Sequence, residues 1–179
     1  RLIEEVARPY LEAGFSHWEF VRSKLRHDPV YFALVDRGLV PDSGRIVDVG
    51  CGRGILLALL ALGRSRAAGL ELVGVDASRR TIRVARTGVP PGVSLTVADA
   101  GAFHPPRSAA IVLLDVLHYL PVDAQERLLR RAAAALEPGG RLLIREADRS
   151  PTWRFRLTAA AERLRAVTRG RLRQRFAFR

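Results

Sequence analysis

A glycine-rich turn between a predicted strand and a predicted helix is the feature that most constrains the fold of this chain. The sequence reads VDVGCGRG at residues 47–54, after an apolar run from Arg45 and before an apolar, helix-favouring run from Ile55 to Leu62. Glycine has no Cβ, so it lets the backbone turn sharply and approach a ligand closely. The first turn of the following helix offers free N–H groups and a partial positive charge. This order of elements predicts the opening of a nucleotide-binding α/β domain.

The spacing of the glycines separates this turn from the dinucleotide fingerprint G-x-G-x-x-G. Here Gly50, Gly52 and Gly54 alternate, and Ile55 stands where the dinucleotide pattern has its third glycine. Asp48 lies one residue inside the strand, where its carboxylate would repel a pyrophosphate and attract an ammonium group. The turn therefore favours a ligand that has an amino-acid end and a nucleoside end but no phosphate.

VDVGCGRG resembles the first motif of the class I S-adenosylmethionine-dependent methyltransferases, and the resemblance extends over residues 45–146. It implies the cofactor S-adenosyl-L-methionine, with S-adenosyl-L-homocysteine as the product. The pattern KLRHDPVYFAL at residues 24–34, followed by GRIVDVGCGRG, resembles a group of stand-alone bacterial methyltransferases. That group is associated with acyl-chain assembly on carrier proteins, as in aryl polyene biosynthesis.

Strand-like and helix-like patterns alternate after the glycine turn. Strands are expected at residues 45–49, 70–76, 93–97, 109–114 and 141–144. Helices are expected between them, including one capped by Ser78 and an amphipathic one at residues 122–136. The alternation predicts an α/β fold, a Rossmann-like doubly wound parallel sheet with helices on both faces.

We expect a single domain over residues 1–179, divided into three parts. Residues 1–40 form an N-terminal helical lid, residues 45–148 the cofactor-binding core, and residues 151–179 a basic helical segment. Class I methyltransferases usually close the sheet with an antiparallel hairpin after the fifth strand. The sequence after residue 144 offers a helical pattern and many arginines instead, so we expect five parallel strands without that hairpin.

Four aspartates fall at or just inside the ends of predicted strands: Asp48, Asp76, Asp99 and Asp115. In parallel sheets ligands bind outside the carboxyl ends of the strands. A carboxylate at the end of the second strand can accept two hydrogen bonds from a ribose diol, although a helix N-cap would also place an aspartate there. Four aspartates at equivalent positions beside a glycine turn favour one polar ligand.

The resemblance implies further cofactor contacts. Asp99 would accept from the adenine amino group while the Ala100 N–H donates to a ring nitrogen, although Asp99 also fits a plain turn residue. Ala77 would leave room for the adenine, and Gly50, Cys51 and Gly52 belong to the cofactor-binding turn. Asp115 would touch the methionine end of the cofactor or cap the following turn.

Cys51 and His118 are the two candidates for reactive side chains. Cys51 stands between two glycines, where a small residue that fills a tight turn is favoured over a catalytic thiol. His118 follows the fourth predicted strand, where the family places its acceptor, and neutral imidazole can take a proton near pH 7. A structural histidine bonded to a loop carbonyl explains His118 equally well. No cysteine or histidine pair has the spacing of a metal site, so no metal is expected.

The formal net charge is +12, and residues 151–179 contribute +8 of it through nine arginines and one glutamate. Apolar residues alternate with these arginines, so the segment suits an anionic membrane surface or an acidic carrier protein. A helix with solvated arginines is an equally good interpretation. The predicted reaction is methyl transfer to a small-molecule or carrier-bound acyl or aromatic acceptor, with O-methylation favoured.

A nucleic-acid methyltransferase is the alternative that the positive charge allows. It is less favoured because the sequence has no Asn-Pro-Pro-Tyr-like motif for stacking a flipped base. One cysteine excludes an internal disulfide, and no apolar run reaches the length of a membrane span. A cytoplasmic location is therefore expected.

Overall fold

The computed structural model describes residues 1–63 and 69–146. Within these residues the sheet has five parallel strands in the order β3-β2-β1-β4-β5. The strands are β1 (Gly44–Val49), β2 (Leu70–Asp76), β3 (Ser94–Val97), β4 (Ser108–Leu114) and β5 (Leu136–Arg145). The chain order reverses at β1, which pairs with both β2 and β4, so the carboxyl end of β1 is the topological switch point.

Two apolar clusters on opposite faces of the sheet hold the helices. Ile46, Ala110 and Val112 belong to one cluster, whereas Val47 and Val49 belong to the other. Successive strand residues point to opposite faces, so β1 supplies buried side chains to both clusters. This burial on both faces explains why β1 reads as a continuous apolar run, and it confirms the predicted doubly wound parallel sheet.

The helices are α1 (Leu2–Ala7), α2 (Phe15–His27), α3 (Val30–Asp36), α4 (Ile55–Gly63), α5 (Arg79–Gly88) and α6 (Val122–Ala135), with 3-10 turns at Arg8–Ala13 and Leu117–Tyr119. Ser78 caps α5, since its Oγ accepts a hydrogen bond from the Thr81 N–H at 3.2 Å. The face of the sheet that α6 covers buries Leu128 and Ala132 against the strands.

The start of β5 differs from the prediction. Residues 137–140, with the sequence EPGG, were expected to separate a helix from a strand that begins at Arg141. In the structure Leu136 already pairs with Ser108, and the register shifts before Ala110 pairs with Arg141. The proline and glycines therefore form an irregularity within β5, where Gly139 adopts a φ of 77°.

The N-terminal layer, residues 1–36, confirms the predicted helical pattern of this region. Helix α3 begins at Val30, whose N–H donates to Asp28 Oδ1 at 3.2 Å. Tyr10 is fully buried, and its hydroxyl donates to the Arg53 carbonyl in the glycine turn at 2.7 Å. The Tyr10 ring lies so close to Gly88 that a Cβ there would come within 1.9 Å of it. The layer is thus packed directly against the glycine turn.

The Tyr10 hydroxyl provides a test of this packing. Tyr10→Phe keeps the ring against Gly88 and removes only the hydrogen bond to Arg53. We expect the free energy of unfolding to fall by about 1 kcal/mol, the usual net value of one such bond. Urea unfolding of both proteins measures the difference, and an unchanged midpoint would contradict the contact.

Two predictions fall on residues 147–179, outside the part of the chain that the structure describes. They are the absence of a hairpin after β5 and the basic helical segment at 151–179, and both stay predictions, as does the single domain. No helix in the described ranges is both long and apolar enough to cross a membrane.

Candidate cofactor-binding and active site

The glycine turn at the carboxyl end of β1 is held by the end of β2. The N–H groups of Gly50 and Cys51 both donate to the Val75 carbonyl, at 2.7 and 2.9 Å. Gly50 has a φ of 78°, and a Cβ there would lie 2.6 Å from a methyl group of Val116. Gly52 has a φ of 56° and no atom within 4 Å of its Cβ position. Packing against Val116 therefore requires glycine at position 50, and the backbone conformation requires glycine at position 52.

Asp76 lies beside this turn. Its Oδ2 accepts a hydrogen bond from the Gly52 N–H at 3.1 Å, and its Oδ1 accepts one from the Ser78 N–H at 2.8 Å. Ser78, not Asp76, is the N-cap of α5, so capping does not explain this aspartate. The two bonds fix the carboxylate at the strand end, and each oxygen keeps a lone pair for a further donor.

Asp48 is buried at the centre of the same edge. Burial, together with the negative charge of Asp76, raises the pKa of its carboxyl group to about 7. Side chains alternate along a strand, so Asp48 faces the same side as Ile46, toward α4 and the N-terminal layer. A buried carboxylate next to a second carboxylate favours a cationic ligand group.

The predicted adenine-binding residues lie at the ends of neighbouring strands. Ala77 follows β2 and is exposed, whereas Ala100 follows β3 and is buried. The exposed Asp99 turns the chain there, since its Oδ1 accepts from the Gly101 N–H at 2.7 Å. The structure brings these residues to the edge that carries Asp76, and their contacts with adenine stay predictions.

Asp115 is bound by an arginine that the sequence analysis did not identify. Arg145, at the end of β5, donates from Nε to Asp115 Oδ1 at 3.1 Å and from Nη2 to Asp115 Oδ2. Its Nη1 donates to both carboxylate oxygens of Asp28, at 2.7 and 2.8 Å. Asp115 was predicted as a cofactor contact or a turn cap, and its observed partner is Arg145. No local sequence pattern signals these contacts, because they depend on strand order and helix docking.

His118 is paired with a carboxylate that the sequence analysis also missed. Its Nδ1 lies 2.8 Å from Glu146 Oε2, and the Leu117 N–H donates to Glu146 Oε1 at 2.6 Å. The carboxylate accepts, so Nδ1 carries the proton and Nε2 is the basic atom of the neutral ring. His118 is buried, and the carboxylate of Glu146 is a partner of its Nδ1. Its roles as a base or as a structural histidine both stay predictions.

A comparison with known protein families identifies the family of this chain. A model of the methyltransferase domain family matches residues 17–178. The chain belongs to this family. Its membership confirms, at the level of the family, the predicted class of S-adenosylmethionine-dependent methyltransferases.

Named relatives of this methyltransferase domain are bacterial enzymes. It is 29% identical over 133 residues to the ubiquinone biosynthesis O-methyltransferase of Bordetella pertussis, covering 70% of the chain and 52% of the relative. It is 33% identical over 131 residues to the trans-aconitate 2-methyltransferase of Variovorax paradoxus, covering 72% of the chain and 49% of the relative. The chain thus spans about half the length of these curated relatives.

A solved structure supports the fold and the cofactor of the family. The S-adenosylmethionine-bound amino pentose methyltransferase CalS10 from Micromonospora echinospora matches with a TM-score of 0.53 and 28% identity. The match covers 63% of this chain and 48% of that one. It agrees with the five parallel strands described above.

The residues at the carboxyl ends of the strands in this methyltransferase domain fit S-adenosyl-L-methionine. The open space at Gly52 leaves room for a ligand against the turn, and the lone pairs of Asp76 suit the two hydroxyls of a ribose. The buried carboxylate of Asp48 suits the cofactor's positive charge. In the described residues, no group of three acidic, histidine or cysteine side chains is placed to hold a metal ion.

Cys51 has the environment of a filling residue. Burial raises the pKa of its thiol well above the ordinary value, and the charges of Asp48 and Asp76 add to this. A thiol that stays protonated at neutral pH is a poor nucleophile. Its sulfur also lies close to Gly74, where a Cβ would come within 3.0 Å. This environment favours the packing interpretation over a catalytic thiol.

Cofactor affinity should depend on pH through Asp48. The folded pKa of about 7 lies above the ordinary value of 3.8, so the ligand-free protein loses stability as the pH rises between these values. A cationic ligand prefers the ionised carboxylate, so its affinity should rise roughly tenfold from pH 5.5 to pH 7. Calorimetric titration with S-adenosyl-L-methionine measures this. Asp48→Asn should bind weakly with a flat profile, and a flat profile in the wild type would exclude this role.

Proposed function

We propose that this chain transfers a methyl group from S-adenosyl-L-methionine to an oxygen of a small-molecule or carrier-bound acyl or aromatic acceptor. The observation that carries the proposal is the His118–Glu146 pair, 2.8 Å apart, at the sheet edge that also carries Asp48 and Asp76. Asp48 and Asp76 suit a cationic nucleoside cofactor, and His118 would be the base for an acceptor hydroxyl.

The chain's own residues would bind and align the reactants. The bound cofactor supplies an electrophilic methyl group whose leaving group is a neutral thioether. Asp76 would hold the ribose and Asp48 the positive charge, so that the methyl group is directed at the acceptor. Alignment of this kind accounts for much of the acceleration in a bimolecular transfer.

His118 would act as the general base. Glu146 accepts the Nδ1 proton and so fixes the tautomer in which Nε2 is basic. Nε2 would take the proton that the acceptor hydroxyl loses as its oxygen forms the new bond to carbon. Base catalysis matters only for an acceptor that is protonated at the working pH, which favours a hydroxyl over a carboxylate.

The relatives support oxygen as the acceptor atom. The Bordetella pertussis relative is named an O-methyltransferase of ubiquinone biosynthesis, and the Variovorax paradoxus relative acts on trans-aconitate by its name. The resemblance of residues 24–34 to enzymes of acyl and aryl polyene assembly adds the carrier-bound acceptor. The nine arginines of residues 151–179 would favour an acidic carrier protein.

Methyl transfer from labelled cofactor tests this proposal. The acceptors would be a hydroxyaryl acid, the same acid loaded on a carrier protein, an aryl amine and a transfer RNA. We expect label on a hydroxyl of the aryl acid, free or carrier-bound. Label on the amine alone would show that the acceptor atom is nitrogen and not oxygen. Label on the RNA alone would support the nucleic-acid alternative. A carrier-bound preference that added salt removes would support docking through the arginines.

A further inference from the structure

Arg145 joins two parts of the protein that are far apart in the sequence. On one side it binds Asp28, at the junction of α2 and α3, with two contacts of 2.7 and 2.8 Å. On the other side it binds both oxygens of Asp115, after β4. Lys24 Nζ lies 2.9 Å from Asp28 Oδ2 and is a second cationic partner of the same carboxylate. One side chain therefore connects the N-terminal layer with the loop that carries His118.

Arg145 contacts the first residue of that loop, which spans residues 115–120. Asp115 has a φ of 55°, a left-handed conformation that costs a non-glycine residue about 1 kcal/mol. Its N–H donates to the Arg145 carbonyl at 2.8 Å, and its carboxylate accepts from the Arg145 side chain. The next residue, Glu146, holds Leu117 and His118. Arg145 and Glu146 thus hold the loop at three residues, Asp115, Leu117 and His118.

The ion pairs of Arg145 are stronger than ordinary surface pairs. Its contact with Asp115 is a two-bond fork, and the side chain of Asp28 is only 16% exposed. Burial by itself would raise the pKa of Asp28, but the hydrogen bonds from Arg145 and Lys24 outweigh it and lower the pKa. The Asp28 carboxylate is therefore ionised at neutral pH, and its pairing with Arg145 favours one geometry.

The N-terminal layer makes two contacts beside the carboxyl ends of the strands, where the cofactor would bind. Tyr10 binds the glycine turn through the Arg53 carbonyl, and Asp28 binds Arg145 beside the acceptor loop. Tyr31 of α3 is buried, and the pKa of its phenol is raised by burial and by the negative charges of Asp48 and Asp28. Helix α3 thus lies close to Asp48 and Asp28.

We propose that Arg145 is a positioning residue that couples the docking of the N-terminal layer to the geometry of His118. When Asp28 engages Arg145, the guanidinium is fixed against Asp115, and the 115–120 loop holds the imidazole against Glu146. When Asp28 is released, Arg145 loses the two contacts of Nη1 and keeps only its fork to Asp115, so the loop is held less rigidly. The role of this coupling in catalysis rests on the methyl transfer proposed above, whereas the coupling itself does not.

Asp28→Asn tests the coupling, with Arg22→Gln as a matched control. Arg22 also bridges two carboxylates in the N-terminal layer, Glu4 and Glu19, and its side chain is 26% exposed against 27% for Arg145. Asparagine retains a side-chain acceptor for the Val30 N–H, so the start of α3 is preserved. Both changes loosen the layer, but only Asp28 is connected to the acceptor loop.

The readout is the Nδ1–H proton resonance of His118 in protein labelled with ¹⁵N-histidine, assigned by its loss in His118→Gln. The wild type and Arg22→Gln should show a protected signal. Asp28→Asn should show exchange with water faster by on the order of tenfold, although Asp28 does not touch His118. Turnover should fall about tenfold in Asp28→Asn and stay unchanged in Arg22→Gln.

Two outcomes would overturn the proposal. An unchanged His118 signal in Asp28→Asn would show that the layer and the loop are independent. Equal loss of signal in Arg22→Gln would show general loosening instead of coupling through Arg145. The signal is measured without an acceptor, so failure of the wild type to methylate any acceptor would count against the proposed function alone.

Discussion

Asp76→Ala should weaken the binding of S-adenosyl-L-homocysteine roughly 10- to 150-fold. A hydrogen bond to a charged group contributes about 1.5–3 kcal/mol, which corresponds to this range. The carboxylate would accept from the ribose diol, and it also holds the Gly52 N–H at 3.1 Å, so its removal loosens the turn as well. Asp76→Asn keeps an acceptor for Gly52 and should lose less affinity than the alanine variant. Calorimetric titration of the three proteins gives the affinities.

Glu71→Ala is the control for this measurement. Glu71 is another carboxylate on β2, but it lies near the start of the strand and pairs with Arg45 at 2.9 Å. Removal of the Glu71 side chain should leave cofactor affinity unchanged, because Glu71 lies at the other end of β2 from Asp76. NADH should not bind to the wild type. Binding of NADH as tight as that of S-adenosyl-L-homocysteine, or full affinity in Asp76→Ala, would contradict the assigned cofactor contact.

The sequence predicted the first four strands to within one residue. Strands β1, β2 and β4 have buried residues on both faces and leave short apolar runs, whereas the edge strand β3 leaves an alternating pattern. A strand covered on both faces is a short apolar run, and here each run ends at a glycine or an aspartate. The same aspartates mark the ligand edge, so Asp48 and Asp76 were found together with the fold. Their positions follow from local sequence alone.

The start of β5 and the partners of the acceptor loop needed the structure. Proline and glycine at residues 137–140 are typical of a helix stop, and only the pairing of Leu136 with β4 reveals that the strand has already begun. Arg145 bonds to Asp28, which lies 117 residues earlier in the chain. Glu146 bonds to His118, which lies 28 residues earlier. Such contacts depend on strand order and helix docking, which no local pattern specifies.

His118→Ala should lower the turnover of methyl transfer by roughly two orders of magnitude or more, with cofactor affinity unchanged. General base catalysis contributes about 10²–10⁴-fold, and Glu146 holds the ring 2.8 Å away in the tautomer that this role requires. Glu146→Gln keeps an acceptor for the Leu117 N–H but loses the negative charge, so we expect a smaller loss, of about tenfold.

His104→Ala is the control, because that histidine is exposed in the part of the chain between β3 and β4. It should leave turnover unchanged. Single-turnover rates with saturating cofactor separate chemistry from binding in all four proteins. A structural histidine would give the opposite result. Its removal would lower the free energy of unfolding while the rate per folded molecule stayed at the wild-type value, and the loss in Glu146→Gln would then follow folding as well.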